Sequence, residues 1–198
     1  MVQFNELLIS PDAKSMIIDV SIPSEDYYKD VYLDSVLIDN QDTYVGTGVS
    51  STPVYTYLVP TTQQLKYKKG TTEYKTKHLR LVIKAEELTQ GTFDGIFFVY
   101  VRTKGTYGAG TPCGCDEITT LASVTNLKPF YDTTMSYIRE LGNTCEIPKG
   151  FINQLLRTKA IETAIRTRNY TEAVNLWKDY RGTSTNIKRG GCGCRGAS

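Results

Sequence analysis

A change of hydrophobic period partway along the chain constrains its fold more than any other feature. Up to about residue 110 the apolar residues fall in short runs and alternations rich in Thr, Tyr, Val and Ile; beyond it they recur at helical spacing. Period-2 runs predict strands over Phe4–Ile9 and Ser15–Ile22, separated by the turn-forming Pro11-Asp12-Ala13-Lys14. A third run carries Val31, Leu33, Val36 and Ile38 and stops at Asp39-Asn40-Gln41-Asp42, and Val54, Tyr55 and Tyr57 make a short fourth between Pro53 and Pro60. His78–Lys84 is the fifth. The sixth, Gly95-Ile96-Phe97-Phe98-Val99-Tyr100-Val101, is the most apolar and has the pattern of a central strand covered on both faces. With no helical pattern between them, these strands predict an antiparallel β-sandwich, a jelly-roll-like barrel being the alternative.

Downstream, three helices have readable ends. Pro129 suits the first turn of one whose apolar positions are Phe130, Tyr131, Met135, Ile138 and Leu141, closed by Gly142. Pro148 opens a second, with Phe151/Ile152, Leu155/Leu156, Ala160/Ile161 and Ala164/Ile165 at helical spacing. Asn169 reads as the N-cap of a third, Glu172 standing in capping-box register, with a stripe of Tyr170, Ala173, Val174, Trp177 and Tyr180 that Gly182 ends. The turn between the last two is short, so they are expected to form an αα-hairpin. The expected fold is therefore α+β: a β-sandwich over residues 1–110, a helical domain over 111–182 and a basic Cys/Gly-rich tail over 183–198.

Composition excludes some classes of function. With 40% hydrophobic and 22% charged residues in 198, the chain has enough apolar material for a core, so global disorder is not expected. No apolar run approaches the roughly 20 residues of a membrane-spanning helix. Met1-Val2-Gln3-Phe4-Asn5-Glu6 lacks the charged and apolar regions of a secretory signal, and none is expected. The net charge of +2 conceals a split: residues 1–150 hold 14 Lys/Arg against 18 Asp/Glu, and residues 151–198 hold 9 against 3. Catalysis is not expected. The one histidine, His78, sits in a strand pattern beside Leu79 and Val82, where a solvent-facing or hydrogen-bonded role is ordinary, and no nucleophile elbow, zinc-protease helix or phosphate loop is present.

Three features remain as candidate sites. Two Cys-Gly-Cys pairs, Cys113/Cys115 and Cys192/Cys194, flank the helical part; four thiolates there would suit a structural zinc, but Cys-x-Cys is tighter than the common zinc spacing, and a disulfide and free thiols are the competing readings. Cys145 reads as a small buried residue. Arg157, Lys159, Arg166 and Arg168 lie on or near the polar side of the second helix, either as a solvated face that meets an acidic partner or as a phosphate-binding surface. Tyr44, Tyr55, Tyr57 and Tyr74, if exposed, would suit a carbohydrate- or receptor-binding sandwich.

The ordered series Gly95–Val101, Thr111-Pro112-Cys113-Gly114, Leu127-Lys128-Pro129-Phe130-Tyr131, Met135–Leu141, Ile147–Asn153 and Asn169–Trp177 resembles small virion structural proteins of crAss-like tailed bacteriophages, most closely over residues 95–181. The resemblance implies a non-enzymatic part of the tail or head–tail neck, made in the host cytoplasm and built into the virion. It implies homo-oligomeric rings that contact neighbouring tail and portal-complex proteins. It brings no catalytic residues and no cofactor, and it does not account for the Cys-Gly-Cys pairs. The charge split fits such a ring, since head-to-tail contacts need complementary patches on one subunit, and basic residues lining a channel would touch passing DNA without reading its sequence. A nucleic-acid-binding accessory protein and a glycan-binding module are the alternatives.

Overall fold

The computed structural model describes residues 2–22, 30–60, 67–69, 72–74, 78–88, 91–107, 111–112, 117–142, 147 and 149–184. The chain forms two compact units, Met1–Asn126 and Leu127–Ser198.

In the first unit, β1 (Gln3–Ile9), β2 (Ser15–Ser21) and β7 (His78–Lys84) form one antiparallel sheet in the order β1-β2-β7. The second sheet has the order β10-β8-β3-β4, from β10 (Glu117–Asn126), β8 (Gly95–Tyr107), β3 (Asp30–Asn40) and β4 (Tyr55–Leu58), with β9 (Thr111–Pro112) paired to the end of β8. Among the described residues, β5 (Tyr67–Lys69) and β6 (Thr72–Tyr74) form a two-stranded antiparallel sheet. All six expected strands are present. Period-2 alternation decides which side chains turn inward: Met16, Ile18 and Val20 from β2 and Leu79, Leu81 and Ile83 from β7 meet Val36 and Ile38 from β3 and Phe97, Val99 and Val101 from β8 in one core. That shared core between two antiparallel sheets makes the unit a β-sandwich.

β8 lies between β10 and β3, and Ile96 to Val101 are all buried. One face of the strand meets the other sheet. The opposite face is covered by the segment after β3: Tyr44 stacks on Phe98 with ring centroids 4.1 Å apart, and the Tyr100 hydroxyl donates to the Gly48 carbonyl at 3.2 Å. Asp39, fully buried here, accepts from the Ser50 N–H (3.0 Å), the Ser50 hydroxyl (2.6 Å) and the Thr43 hydroxyl (3.1 Å), so its burial leaves no orphaned charge. Asn40 turns the chain, its Oδ1 accepting from the N–H groups of Asp42 and Thr43.

The expected domain boundary at residue 110 falls within the β-unit. β10 occupies residues read as the start of the helical domain, because pairing along nearly the whole of β8 holds Glu117–Asn126 extended. The charge split survives the shift: residues 1–126 hold 11 Lys/Arg against 15 Asp/Glu, and residues 127–198 hold 12 against 6.

The second unit consists of α1 (Lys128–Leu141), α2 (Lys149–Arg166) and α3 (Tyr170–Ser184). Pro129 stands in the first turn of α1, and Gly142 closes it at φ 63°, a conformation that favours glycine. α2 ends in a Schellman turn, with Asn169 N–H to Ala164 O at 2.8 Å and Arg168 N–H to Ile165 O at 3.0 Å; Arg168 takes the left-handed position at φ 59°. Asn169 caps α3 through its Oδ1 to the Glu172 N–H at 3.4 Å. Glu172 replies to the Asn169 side chain (2.6 Å), since the Asn169 N–H is already committed to α2. α3 runs two residues past Gly182, which sits inside the helix. The core is aromatic: Phe130 meets Trp177 edge-on at 4.6 Å and Tyr180 at 6.0 Å, while Trp177 and Tyr180 stack at 5.7 Å.

Candidate functional site

Three surfaces gather the chemically distinctive side chains. On the outer face of the β1-β2-β7 sheet, a bulge at Asn5 places an extra residue opposite β2. Asn5 Nδ2 donates to Asp19 Oδ1 at 2.9 Å, His78 Nε2 lies 2.8 Å from the same oxygen, and Arg80 bridges Asp19 (3.2 Å) and Glu6 (2.6 Å). The Asn5 hydrogen bond, followed by those of His78 and Arg80, holds the Asp19 carboxyl below the usual range against the opposing effect of burial. The two carboxylates in turn raise the Arg80 guanidinium above its ordinary value. His78 is thus an exposed strand histidine tied to a carboxylate. Two residues further along each strand, Leu8, Ile17 and Val82 form an apolar row across the same face, with Val82 58% exposed.

The tyrosines do not form an exposed platform. Tyr44 covers Phe98. Tyr55 and Tyr57 are half-buried against the core because strand alternation turns them inward and sends Thr56 and Leu58 outward. Burial and the neighbouring Glu87 carboxylate, which accepts the Tyr55 hydroxyl at 3.1 Å, push the Tyr55 phenol up to about 12. The side chain of Tyr74 lies outside the described residues.

The third surface is α2. Its buried face is Phe151, Gln154, Thr158, Ile161 and Ala164; Gln154 Nε2 donates to the Tyr180 carbonyl at 3.4 Å, and the Thr158 hydroxyl donates to the Gln154 carbonyl at 3.1 Å. The helix therefore turns two polar side chains inward and leaves Ile152 (44%) and Leu156 (60%) exposed. Ile152, Leu156, Lys159, Thr163 and Arg166 follow at three- and four-residue steps along one exposed stripe, apolar at its start and basic at its end. Of the four basic residues singled out in the sequence, Lys159 and Arg166 share this stripe. Arg157 is half-buried on another side, and Arg168 sits in the turn after the helix, so the four do not make one patch.

Cys113, Cys115, Cys145, Cys192 and Cys194 lie outside the described residues. Among the described residues, no three His, Cys, Asp or Glu side chains converge as a metal site, and no helix is long and apolar enough to cross a membrane.

These surfaces suit contact with other macromolecules, and the comparisons with known proteins agree. The sequence pattern of the Crassvirus tail hub protein A family matches residues 2–195. Tail hub protein A of Bacteroides phage crAss001 is 39% identical over 215 aligned residues, covering 98% of this chain and 99% of that protein. The match extends through the β-sandwich, well beyond the 95–181 span that carried the resemblance in the sequence. The chain belongs to the Crassvirus tail hub protein A family and is a structural component of the phage virion's tail.

Proposed function

We propose that this chain is a non-enzymatic building block that assembles as a homo-oligomeric ring in the tail or head–tail neck and adjoins neighbouring tail and portal-complex proteins. The observation that carries this reading is the outward stripe of α2. A helix that buries Gln154 and Thr158 while exposing Ile152 and Leu156 has a second apolar face available for another chain. Lys159 and Arg166 at the basic end of the stripe would meet carboxylates of a partner or, in a ring traversed by DNA, phosphates. Family membership supports the tail location.

The test is the double substitution Ile152→Glu/Leu156→Glu in the full chain. Circular dichroism should be unchanged, because neither side chain lies in the core, and mass photometry should show oligomers of the wild type and free subunits of the variant. A variant that assembles like the wild type would remove α2 from the contact. A wild type that remains a monomer and is absent from purified particles would sink the ring itself.

A further inference from the structure

Each strand of the β1-β2-β7 sheet carries three apolar residues in a row: Leu7-Leu8-Ile9, Met16-Ile17-Ile18 and Leu81-Val82-Ile83. Strand alternation sends only the first and last of each triplet into the sandwich, and Leu7, Ile9, Met16, Ile18, Leu81 and Ile83 all pack in its core. The middle members turn outward. Register then sets them side by side, Leu8 opposite Ile17 and Ile17 opposite Val82. A sheet face turned to water is ordinarily polar at such positions, so an apolar row across three strands marks a face that meets something.

The dimensions of the face say what fits it. With neighbouring strands about 4.8 Å apart, the outer two of the three lie roughly 10 Å from each other, the width of one helix with its side chains. The stripe of α2 offers such a helix, with Ile152 and Leu156 one turn apart on the side away from the buried Gln154 and Ile161, and Lys159 following them. From the middle of that apolar pair to Lys159 is five residues, or about 7.5 Å of helix. From the apolar row of the sheet to the row of Glu6, Asp19 and Arg80 is two residues, or about 7 Å of strand. Glu6 and Asp19 share the one Arg80 guanidinium, so with His78 counted as neutral that row keeps one negative charge, which a lysine would balance. On the other side of the apolar row Lys84 is paired with Glu86 and adds no net charge. The sheet face and the stripe are different surfaces of one chain, and joining them between copies is a head-to-tail contact of the kind that closes a ring.

We infer that the stripe of α2 in one copy lies along the outer face of the β1-β2-β7 sheet of a second copy, with Ile152 and Leu156 on the Leu8–Ile17–Val82 row and Lys159 beside Glu6. The inference rests on the ring reading and names the pair of surfaces within it. The test uses two full-chain variants, Val82→Glu on the sheet and Ile152→Glu/Leu156→Glu on the helix, each with circular dichroism expected to match the wild type. Each alone should self-associate at least ~10-fold more weakly in analytical ultracentrifugation, because a carboxylate replaces an apolar side chain at the contact. Mixed together, the two should form heterodimers and nothing larger, since the helix variant keeps a sound sheet face and the sheet variant a sound helix. Assembly of Val82→Glu at wild-type strength would overturn the docking face while leaving the ring reading intact, and its loss from purified particles in that case would give the sheet to a different tail protein. A mixture without heterodimers would likewise overturn the pairing, whereas a monomeric wild type would overturn both readings. Should Val82→Glu fail to fold, zero-length carbodiimide coupling of wild-type oligomers decides: a Lys159–Glu6 amide between isotopically distinguished copies is expected, and its absence would remove the contact.

Discussion

At the residue scale, two positions carry measurable consequences. Gly95 begins β8 at φ 103°, and a Cβ there would come within 2.8 Å of Gln41 Oε1, the atom that accepts the Ile96 N–H at 3.1 Å. Backbone strain and loss of that hydrogen bond act together, so Gly95→Ala should destabilise the β-unit by about 1–3 kcal/mol in urea unfolding. Asp19 sets a pH dependence. Its carboxyl is held low in the folded chain by Asn5, His78 and Arg80, so its stabilising contribution is complete above the unfolded value near 3.8 and disappears as pH falls through the lower folded value. Asp19→Asn should flatten the acid limb of stability against pH; an acid limb identical to that of the wild type would place the pH dependence elsewhere. Some of this detail was legible in the sequence and some was not. The Asn169/Glu172 cap and the Pro11–Lys14 turn are local and could be read directly. The Asn5–Asp19–His78 network joins residues brought together only by strand register.

At the element scale, the six expected strands and three helices were legible because their periodicity is local. β10 was not: Glu117–Asn126 has Thr, Ala and Ser among its apolar residues, and its extended form is imposed by pairing with β8 and not by its own periodicity. The face of α2 was misjudged for the same reason. Each apolar doublet offers two candidates for burial, and the choice belongs to α3, whose Tyr180 carbonyl accepts from Gln154. Paired substitutions expose the difference. Trp177→Ala, which removes the centre of the aromatic cluster, should cost about 3–5 kcal/mol, whereas Leu156→Ala on the exposed stripe should stay within about 0.5 kcal/mol, both by thermal or urea unfolding.

At the scale of the whole molecule, the charge division is a property of the two units and not of the residue chosen to divide them. It follows that copies joined through opposite charges should separate as salt screens them. Mass photometry from ~0.1 M to ~1 M sodium chloride should show falling oligomer fractions, since the screening length drops from about 10 Å to about 3 Å over that range. Oligomers that persist or grow with salt would assign the contact to the apolar part of the α2 stripe alone.

The cover over β8 has a consequence for how such a particle can grow. With Tyr44 seated on Phe98 and the Gly48 carbonyl engaged by Tyr100, the chain occupies with its own loop the sheet surface on which a foreign sandwich would otherwise stack. Layer-upon-layer packing is closed off on that side, leaving the outer face of the β1-β2-β7 sheet, the turns and the helices as the places where a neighbour can be added.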